Sequence, residues 1–480
     1  MVDSLKKQAV KGVVWSAVER FSVQGIQFVL SIVIARLVAP SEYGLIAMLG
    51  IFMAIAQTFI DSGFSNALVQ KKDRTEVDFS TVFYFNIVVA LLVYLILYFS
   101  APYIALFYKE PLLDIITKWV GVNIIISAFS IVQRAKLTIQ LDFKTQAKAS
   151  LISVVASGVL GIFFAYYGYG VWALVTQALL NNLLDTLLLW LFAHWMPKWK
   201  FSYQSFKQLF SFGSKLLLSG LLHSVYLNLY TLVIGRKYSA TDVGYYNRSY
   251  SIAQYPSVNI VMIISRAIYP LQCEMQDDDE RLTRSFIQYL RMSCYIIFPL
   301  MMGLAVLAKP LVLLLLTERW LPAAKLISIL SIAYMWYPVM VINNQILNVK
   351  GRSDYFLKAE IVKKVLAVLI LVITMQYSLT WLCLGIVFYN ILDIIIIIYF
   401  VKKVILTSYL SQIKSLFPIF FITMVMGIGG TLSISLVNTT ILQILLGGSA
   451  CIGIYLGISC LFHVKEFTYL VSQIKLLFAK

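Results

Sequence analysis

Charged side chains are scarce in this sequence, and their shortage excludes a water-soluble fold. Only 13% of the 480 residues are Asp, Glu, Lys or Arg, whereas soluble domains carry about 25%. Apolar residues make up 60% of the chain, and the mean hydropathy is +0.84. Because no soluble domain could bury so much apolar surface, the composition predicts an integral membrane protein with almost no length left for a soluble domain.

Histidine and cysteine are also scarce, and their positions favour neither a metal site nor disulfides. The three histidines, His194, His223 and His463, are too scattered to bind a metal together. The five cysteines show no paired spacing and mostly lie in apolar stretches. The sequence also lacks a large external loop and a cluster of His, Asp and Glu, one of which a membrane enzyme would need. We therefore expect a protein that is not an enzyme and has no metal or cofactor.

Apolar runs long enough to cross a bilayer recur from the first residues to the last, at the roughly 20-residue length of a membrane helix. Breaks at charged residues, prolines and glycines give fourteen candidate spans. The spans lie near residues 12–38, 42–64, 79–100, 113–134, 146–167, 170–193, 208–235, 241–268, 286–308, 322–348, 356–377, 380–401, 415–436 and 441–463. Pro310 opens a short apolar piece within residues 309–321, which is either a re-entrant turn or an extension of the ninth span. The sequence therefore predicts an all-α, polytopic membrane protein.

Lysine and arginine residues occur in short clusters between the apolar runs. The net charge is +17, but the clusters follow the positive-inside rule and do not form the continuous basic face typical of nucleic-acid binding. If the N-terminus is cytoplasmic, the loops and tails on that side hold 27 Lys and Arg residues and the opposite loops hold 8. This count assigns Arg134 and Lys363 to cytoplasmic loops. We expect a multi-pass protein with both termini in the cytoplasm and no nucleic-acid partner.

A segment near the N-terminus recurs 200 residues later. Residues 31–44, SIVIARLVAPSEYG, align with residues 231–244, TLVIGRKYSATDVG, with four identities and six conservative replacements in fourteen positions. Each copy holds six spans, an even number, so the copies must share one orientation about a pseudo-two-fold axis along the membrane normal. We predict six-helix lobes at 1–203 and 204–405, two additional helices at 406–480, and a cavity between the lobes.

Polar residues follow one face of several predicted spans. Such a stripe avoids lipid, because a charge at the bilayer centre costs about 2.5–3.5 kcal/mol on insertion scales. We therefore expect the stripes to face the cavity. The residues concerned are Ser16, Arg20, Gln24 and Gln27 in span one, Asp61 in span two, Lys215 in span seven, and Arg248, Ser251, Tyr255 and Asn259 in span eight.

Three of these residues, Arg20, Lys215 and Arg248, would make the cavity positively charged. A positive cavity favours an anion such as a diphosphate, which accepts charge-assisted hydrogen bonds. The alternative is that each cation forms an internal ion pair or snorkels to the interface. Asp185 and Asp393 occupy matching places in spans six and twelve, each three residues after an Asn. Coupling to a proton or cation is one interpretation of these aspartates, and helix–helix hydrogen bonding is the one we favour.

Four short strings carry a resemblance to a known family. They are Gly12-x-x-Trp15-Ser16, IARLVAPSEYGLIAM at 34–48, DSGFSNALVQ at 61–70 and GYYNRSYS at 244–251. Together they resemble bacterial lipopolysaccharide and exopolysaccharide flippases of the Wzx type. More narrowly, they are similar to the colanic-acid branch of the polysaccharide transporter family, in the superfamily that also holds multidrug/toxin exporters and the lipid II flippase.

The resemblance implies two six-helix lobes arranged in a V, two additional helices, and a place in the bacterial cytoplasmic membrane. It implies translocation of an undecaprenyl-diphosphate-linked oligosaccharide, with membrane lipid, polysaccharide polymerases and glycosyltransferases as expected partners. Relatives are held to bind the diphosphate through cations in the first, second and eighth helices. Arg20 and Arg248 match by helix, whereas span two has no buried cation here. The alternatives are a drug or cation antiporter of the same superfamily, expected to have a carboxylate-rich cavity, and a membrane-bound polymerase.

Overall fold

The computed structural model of the chain describes Trp15, residues 22–61 and residues 64–478. Within these ranges the regular structure is helical, and no β-strand occurs. The predicted all-α class is therefore confirmed. An α-helix satisfies its backbone polar groups internally, which is why so apolar a chain folds in this way.

The helices follow one another with short connections. In chain order they are α1, Ser22–Leu37; α2, Pro40–Met48; α3, Gly50–Asp61; α4, Phe64–Gln70; α5, Glu76–Tyr108; α6, Leu112–Ile139; α7, Phe143–Tyr166; α8, Val171–Ala193; α9, Tyr203–Lys237; α10, Ala240–Glu274; α11, Asp279–Leu315; α12, Leu321–Met335; α13, Tyr337–Val349; α14, Ser353–Thr374; α15, Leu379–Val401; α16, Tyr409–Ser435; α17, Thr440–Leu461; and α18, Lys465–Phe478. A short 3₁₀ helix, Glu318–Trp320, joins α11 to α12.

Eleven helical segments of the described chain are long and apolar enough to cross a membrane. They correspond to the predicted second to seventh, ninth, tenth, and twelfth to fourteenth spans. The other three predicted spans coincide with α1, α10 and α14. The described part of α1 is short, and α14 carries several charges, including Glu360, Lys363 and Lys364. The polytopic architecture is thus confirmed, and the count of fourteen stays a prediction.

The ambiguous segment at 309–321 is an extension of the ninth span. α11 continues through Pro310 and ends at Leu315. The chain then enters the 3₁₀ helix and α12 with no re-entrant turn in this described region. Proline is tolerated at this depth because neighbouring helices and local adjustments satisfy the backbone groups that it leaves free.

The chain divides into two compact units, Met1–Gly244 and Tyr245–Lys480. In the first unit, α5 packs against α6, and α8 packs against both α6 and α7. α9 packs along α3 through small residues, where Thr58 Oγ1 lies 3.0 Å from Ser224 Oγ and the Thr58 methyl group faces Gly220. Small residues let membrane helices approach closely. The six-helix lobes predicted from the repeat, 1–203 and 204–405, place α9 in the second copy. These lobe boundaries stay a prediction.

The two copies of the repeated segment begin their helices in the same way. At the start of α2 the Ala39 N–H donates to Glu42 Oε2 at 2.9 Å. At the equivalent start of α10 the Ser239 N–H donates to Asp242 Oδ2 at 3.2 Å. An acidic side chain in the first turn therefore satisfies a free backbone donor in both copies.

The equivalent glycines of the two copies make reciprocal contacts within the first unit. A Cβ atom on Gly44 would overlap the carbonyl oxygen of Ala240, and a Cβ atom on Gly244 would overlap that of Pro40. The contact joins backbone to backbone, so side-chain movement cannot relieve an added methyl group. Glycine is required at both positions for this close approach.

The second unit is built around α11, which packs against α12, α13, α16 and α17. Phe286, Phe298 and Met301 lie on its buried face. The last helix, α18, is attached to α11 by a bidentate ion pair, in which Arg291 donates to the two Glu466 carboxylate oxygens at 2.5 and 2.9 Å. This geometry gives a directional link as well as charge attraction.

Candidate functional site

The first unit contains a polar cavity among helices that are otherwise apolar. Its volume is about 470 Å³. The walls come from α1, α3, α6, α7 and α8, and they carry two carboxylates, one guanidinium, four side-chain amides and three hydroxyls. The lining residues are Val23, Gln27, Gln57, Asp61, Ser127, Ser130, Ile131, Arg134, Ser150, Val154, Asn181, Asn182 and Asp185. Ionisable groups among membrane helices are expensive, which makes this cavity a candidate functional site.

An ion pair between Arg134 and Asp185 joins α6 to α8 at the cavity. The Arg134 guanidinium donates to one carboxylate oxygen of Asp185, and the Ser150 hydroxyl on α7 donates to the other at 3.3 Å. Asp185 is buried, whereas 41% of the Arg134 side chain is exposed. Both carboxylate oxygens thus have donors, and the guanidinium keeps further donors on its open side.

Asn182, three residues before Asp185, fastens α8 to α6. Its side-chain nitrogen donates to the Asn123 carbonyl at 2.9 Å and to Ser127 Oγ at 2.8 Å. These bonds support the interpretation that the Asn182 and Asp185 pair holds helices together. A role for Asp185 in ion coupling stays a prediction.

Asp61 brings a second carboxylate to the cavity from the end of α3. Its side chain is exposed, and Gln57 lies one turn earlier on the same cavity wall. Among the described lining residues, two carboxylates against the guanidinium of Arg134 leave one net negative charge. Carboxylate, amide and hydroxyl oxygens of this kind suit a proton or a small cation better than an anion.

The second unit holds a related ion pair around Lys363 on α14. The Lys363 ammonium lies 2.5 Å from Glu360 Oε1 and 3.3 Å from Asp393 Oδ1, and only 2% of the side chain is exposed. Asp393 is the residue that the repeat aligns with Asp185. Each repeated aspartate therefore forms an ion pair with a basic side chain. That side chain comes from α6 in the first unit and from α14 in the second.

Arg134 and Lys363 correct the assignment of basic residues from sequence. Counting them among the cytoplasmic loops is wrong, because Arg134 lies within α6 and Lys363 within α14, each bound to a buried aspartate. Both residues lie near breaks in the apolar runs, where hydropathy does not distinguish a loop from the end of a helix. A signal was available, since a carboxylate inside a membrane span needs a cation or donor beside it.

The second unit also contains an apolar groove alongside α11, with a volume of about 560 Å³. A Cβ atom on Gly303 would meet no atom within 4 Å, so glycine leaves open space there. The lining residues are Pro256, Tyr295, Ile296, Pro299, Leu300, Gly303, Leu304, Leu307, Leu311, Met426, Gly448, Cys451, Ile452, Tyr455 and Leu456. A lining that is almost entirely hydrocarbon suits an aliphatic chain.

Comparison with protein families identifies the family of this chain. A family profile described as polysaccharide biosynthesis protein matches residues 33–325, more than half of the chain. The chain belongs to the polysaccharide biosynthesis protein family. This membership agrees with the strings at 34–48, 61–70 and 244–251, which lie inside the matched region.

Individual relatives of this polysaccharide biosynthesis protein cover most of its length. It is 28% identical to the teichuronic acid biosynthesis protein TuaB of Bacillus subtilis (strain 168) over 362 residues, 74% of each chain. It is 26% identical to the lipopolysaccharide biosynthesis protein WzxC of Escherichia coli (strain K12) over 430 residues, 88% of this chain and 86% of WzxC. The predicted membership of the Wzx-type family is confirmed.

Solved structures share the fold of this polysaccharide biosynthesis protein. The lipid II flippase MurJ in an inward closed conformation superposes with a TM-score of 0.73 at 12% identity, covering 94% of this chain and 99% of MurJ. An inward-facing multidrug resistance MATE family transporter gives a TM-score of 0.56 at 15% identity, covering 82% of this chain and 94% of that one. The chain therefore shares the all-helical fold of these two membrane proteins.

The described site residues predicted for this polysaccharide biosynthesis protein occur in both units. Gln27, Asp61 and Asp185 line the first-unit cavity, and Gln24 lies on α1 outside its described wall. Asp393 lies in the buried ion pair of the second unit. The predicted basic cavity between the lobes stays a prediction; the polar cavity within the first unit is a separate feature, and its described lining carries more carboxylates than cations.

The remaining predicted site residues either fall outside the described part of the chain or lie on α10. Ser16 and Arg20 lie outside the described residues, and the Lys215 side chain on α9 does so as well. Arg248, Ser251, Tyr255 and Asn259 follow one another along α10 in the second unit. Arg248 is half-buried, and Ser251 and Tyr255 are exposed. The anion site therefore stays a prediction.

Proposed function

We propose that this family member is a flippase that moves an undecaprenyl-diphosphate-linked oligosaccharide from the cytoplasmic to the outer leaflet by alternating access. The observation that carries the proposal is family membership over residues 33–325 in a chain with eleven described segments able to span a membrane. Relatives named for teichuronic acid and lipopolysaccharide biosynthesis support a polysaccharide precursor as cargo. Such a precursor joins an apolar chain, an anionic diphosphate and a polar oligosaccharide.

The molecule offers surfaces that suit the parts of this cargo. The apolar groove of the second unit, with open space at Gly303, supports contact with part of the prenyl chain. Arg20, Lys215 and Arg248 are the proposed ligands of the diphosphate, because Arg binds phosphate oxygens in a bidentate manner. In this proposal each surface binds one part of the cargo during transport, and no covalent bond is made or broken.

The direction of transport follows from charge. The diphosphate is anionic, and the cell interior is electrically negative. Export of an anion is then favoured by about 2.3 kcal/mol for each net charge per 100 mV of membrane potential. The membrane potential alone could therefore drive transport outward.

A drug or cation antiporter of the same fold is the second candidate, and one observation favours it. The described lining of the first-unit cavity has an excess of carboxylate, contributed by Asp61 and Asp185. Asp61→Asn removes that excess without changing side-chain size. An antiporter should then lose cation-driven drug efflux from vesicles, whereas a potential-driven flippase should keep exporting its cargo.

The flippase proposal is tested in a bacterial strain that lacks the gene. We expect lipid-linked oligosaccharide to accumulate on the inner leaflet and the wild-type gene to restore export. Arg248→Ala should lower export at least about tenfold, because the diphosphate loses charge-assisted hydrogen bonds. Arg20→Ala should behave similarly, while Arg248→Lys should retain part of the activity.

Export and the amount of protein in the membrane are measured together. Arg266→Ala is the matched control, since Arg266 is an exposed arginine on the same helix, α10. Normal export in Arg20→Ala and Arg248→Ala would contradict the assignment of the diphosphate ligands. Normal surface polysaccharide in the deletion strain would contradict the proposed function.

A further inference from the structure

A cluster of lysines and tyrosines lies where α14 and α16 begin and α15 ends. We call it the basic–aromatic patch, and it comprises Tyr355, Lys358, Tyr399, Lys402, Lys403 and Tyr409. The distribution of Lys and Arg between the loops predicts that this end of the helices faces the cytoplasm. The patch takes no part in the polar cavity or in the apolar groove.

Three ammonium groups converge on the tyrosine rings of the patch. Lys403 Nζ lies 4.1 Å from the Tyr399 ring centroid and donates to the Tyr399 hydroxyl at 3.0 Å. Lys402 Nζ lies 5.0 Å from the same ring and 5.3 Å from the Tyr409 ring. Lys358 Nζ and Lys403 Nζ each lie 5.9 Å from the Tyr355 ring. Cation–π attraction partly offsets the mutual repulsion of these charges.

Neighbouring acids are committed to other partners. Arg352 donates to both carboxylate oxygens of Asp354, at 2.8 and 2.9 Å. These hydrogen bonds hold the pKa of Asp354 at about 2. Glu360 is bound to Lys363 and Lys364. Over residues 22–61 and 64–478, the lysines of the patch form no ion pair with a carboxylate.

The first unit shows what a neutralised cluster of this kind looks like. Lys136 Nζ lies 5.8 Å from the Phe79 ring and 5.7 Å from the Trp195 ring. It also lies 3.4 Å from Glu76 Oε1, so its charge has an internal counter-ion. The basic–aromatic patch likewise places ammonium groups over aromatic rings. Its three positive charges have no carboxylate counter-ion within the described chain.

The surroundings of the patch indicate what balances the charge. Leu357 and Ile361 on α14, and Leu410 and Ile413 on α16, are exposed apolar side chains on the same helices. In a membrane protein such side chains contact lipid, and Tyr residues favour the headgroup level. Basic groups between helices at the cytoplasmic face bind anionic headgroups. We propose that the basic–aromatic patch binds an anionic phospholipid, with its phosphate among the three ammonium groups and its acyl chains along α14 and α16.

The test uses the full-length protein in phosphatidylcholine nanodiscs titrated with phosphatidylglycerol or cardiolipin, with bound lipid read by native mass spectrometry. Replacing Lys358, Lys402 and Lys403 by Gln should weaken binding of anionic lipid about a hundredfold. The matched control replaces Lys198, Lys200 and Lys207 by Gln. These three lysines are exposed and predicted to lie on the same side of the membrane. The control variant changes the net charge equally and should bind as the wild type does.

Equal losses in the two triple variants, or unchanged binding in the patch variant, would overturn the proposal. A third arm adds undecaprenyl diphosphate, which we expect not to displace the phospholipid at equal concentration. Displacement would reassign the patch to docking of the cargo and would also overturn the proposal. The readout is lipid binding, so the result is independent of whether the protein flips the proposed cargo.

Discussion

Lys363→Met will remove most of the protein from the membrane. Lys363 is 2% exposed, and its ammonium group lies between Glu360 and Asp393. Methionine has a similar volume but no charge, so the substitution leaves the Asp393 carboxylate without its cation. Removing one partner of a buried ion pair costs about 3–5 kcal/mol. Because few folded proteins have more than about 5–15 kcal/mol of stability, we expect membrane levels to fall more than tenfold.

A rescue experiment separates the ion pair from the shape of the side chain. Lys363→Met combined with Asp393→Asn removes both charges, and we expect it to recover much of the lost protein and thermal stability. Lys364→Met is the matched control. Lys364 is the next residue and lies 3.5 Å from the same Glu360, but 44% of its side chain is exposed. An exposed pair contributes about 0–1 kcal/mol, so this control should accumulate normally.

The measurements are the amount of full-length protein in membranes and its unfolding temperature in detergent. Normal amounts of Lys363→Met would contradict the account of the buried ion pair. A double variant no more stable than Lys363→Met would contradict it as well, because the loss would then come from packing.

Substitution of either repeated glycine by valine is the second large effect, and we expect it to reduce polysaccharide export to background. A side chain on Gly44 would overlap the carbonyl oxygen of Ala240, and one on Gly244 would overlap that of Pro40. Neither overlap can be relieved by rotating a side chain, so the two copies of the repeated segment must move apart. Because the contacts are reciprocal, Gly44→Val and Gly244→Val should have the same effect.

Export by these variants is compared with that of Gly453→Val, the matched control. Gly453 also lies in a helix, α17, and a Cβ atom there would meet no atom within 4 Å. Gly44→Ala and Gly244→Ala should be impaired too, since the first carbon atom already overlaps. Near-normal export by either valine variant would show that the contact between the two copies is not needed for transport.

The fold was predictable from sequence to the extent that hydropathy alone determines it. An apolar run of about 20 residues has few structural outcomes in a membrane, and eleven predicted spans coincide with helices of the required length and apolarity. α14 fails that criterion because it carries several charges, including Glu360, Lys363 and Lys364, and hydropathy does not consider the ion pairs that these three residues form. Pro310 interrupts the sequence pattern but not the helix. Composition therefore predicted the helices better than their breaks.

The site was predictable only where one residue is informative by itself. Gln27, Asp61 and Asp185 are conspicuous because each is polar within an apolar span, and all three line the first-unit cavity. The ion pairs of Arg134 and Lys363 were missed. Arg134 meets a residue 51 positions later in the chain, and spacing along one helix cannot identify a partner on another helix.

Reconstituted transport tests the central claim most directly. The purified protein is incorporated into liposomes with a fluorescent undecaprenyl-diphosphate-linked oligosaccharide, and a membrane-impermeant reductant bleaches the label in the outer leaflet. Without the protein, about half of the label should stay protected. With the wild-type protein nearly all of the label should become accessible, and with Arg248→Ala it should become accessible much more slowly. The account predicts that an inside-negative potential accelerates outward movement. Protection that is the same with and without wild-type protein would contradict the proposal that this chain is a flippase.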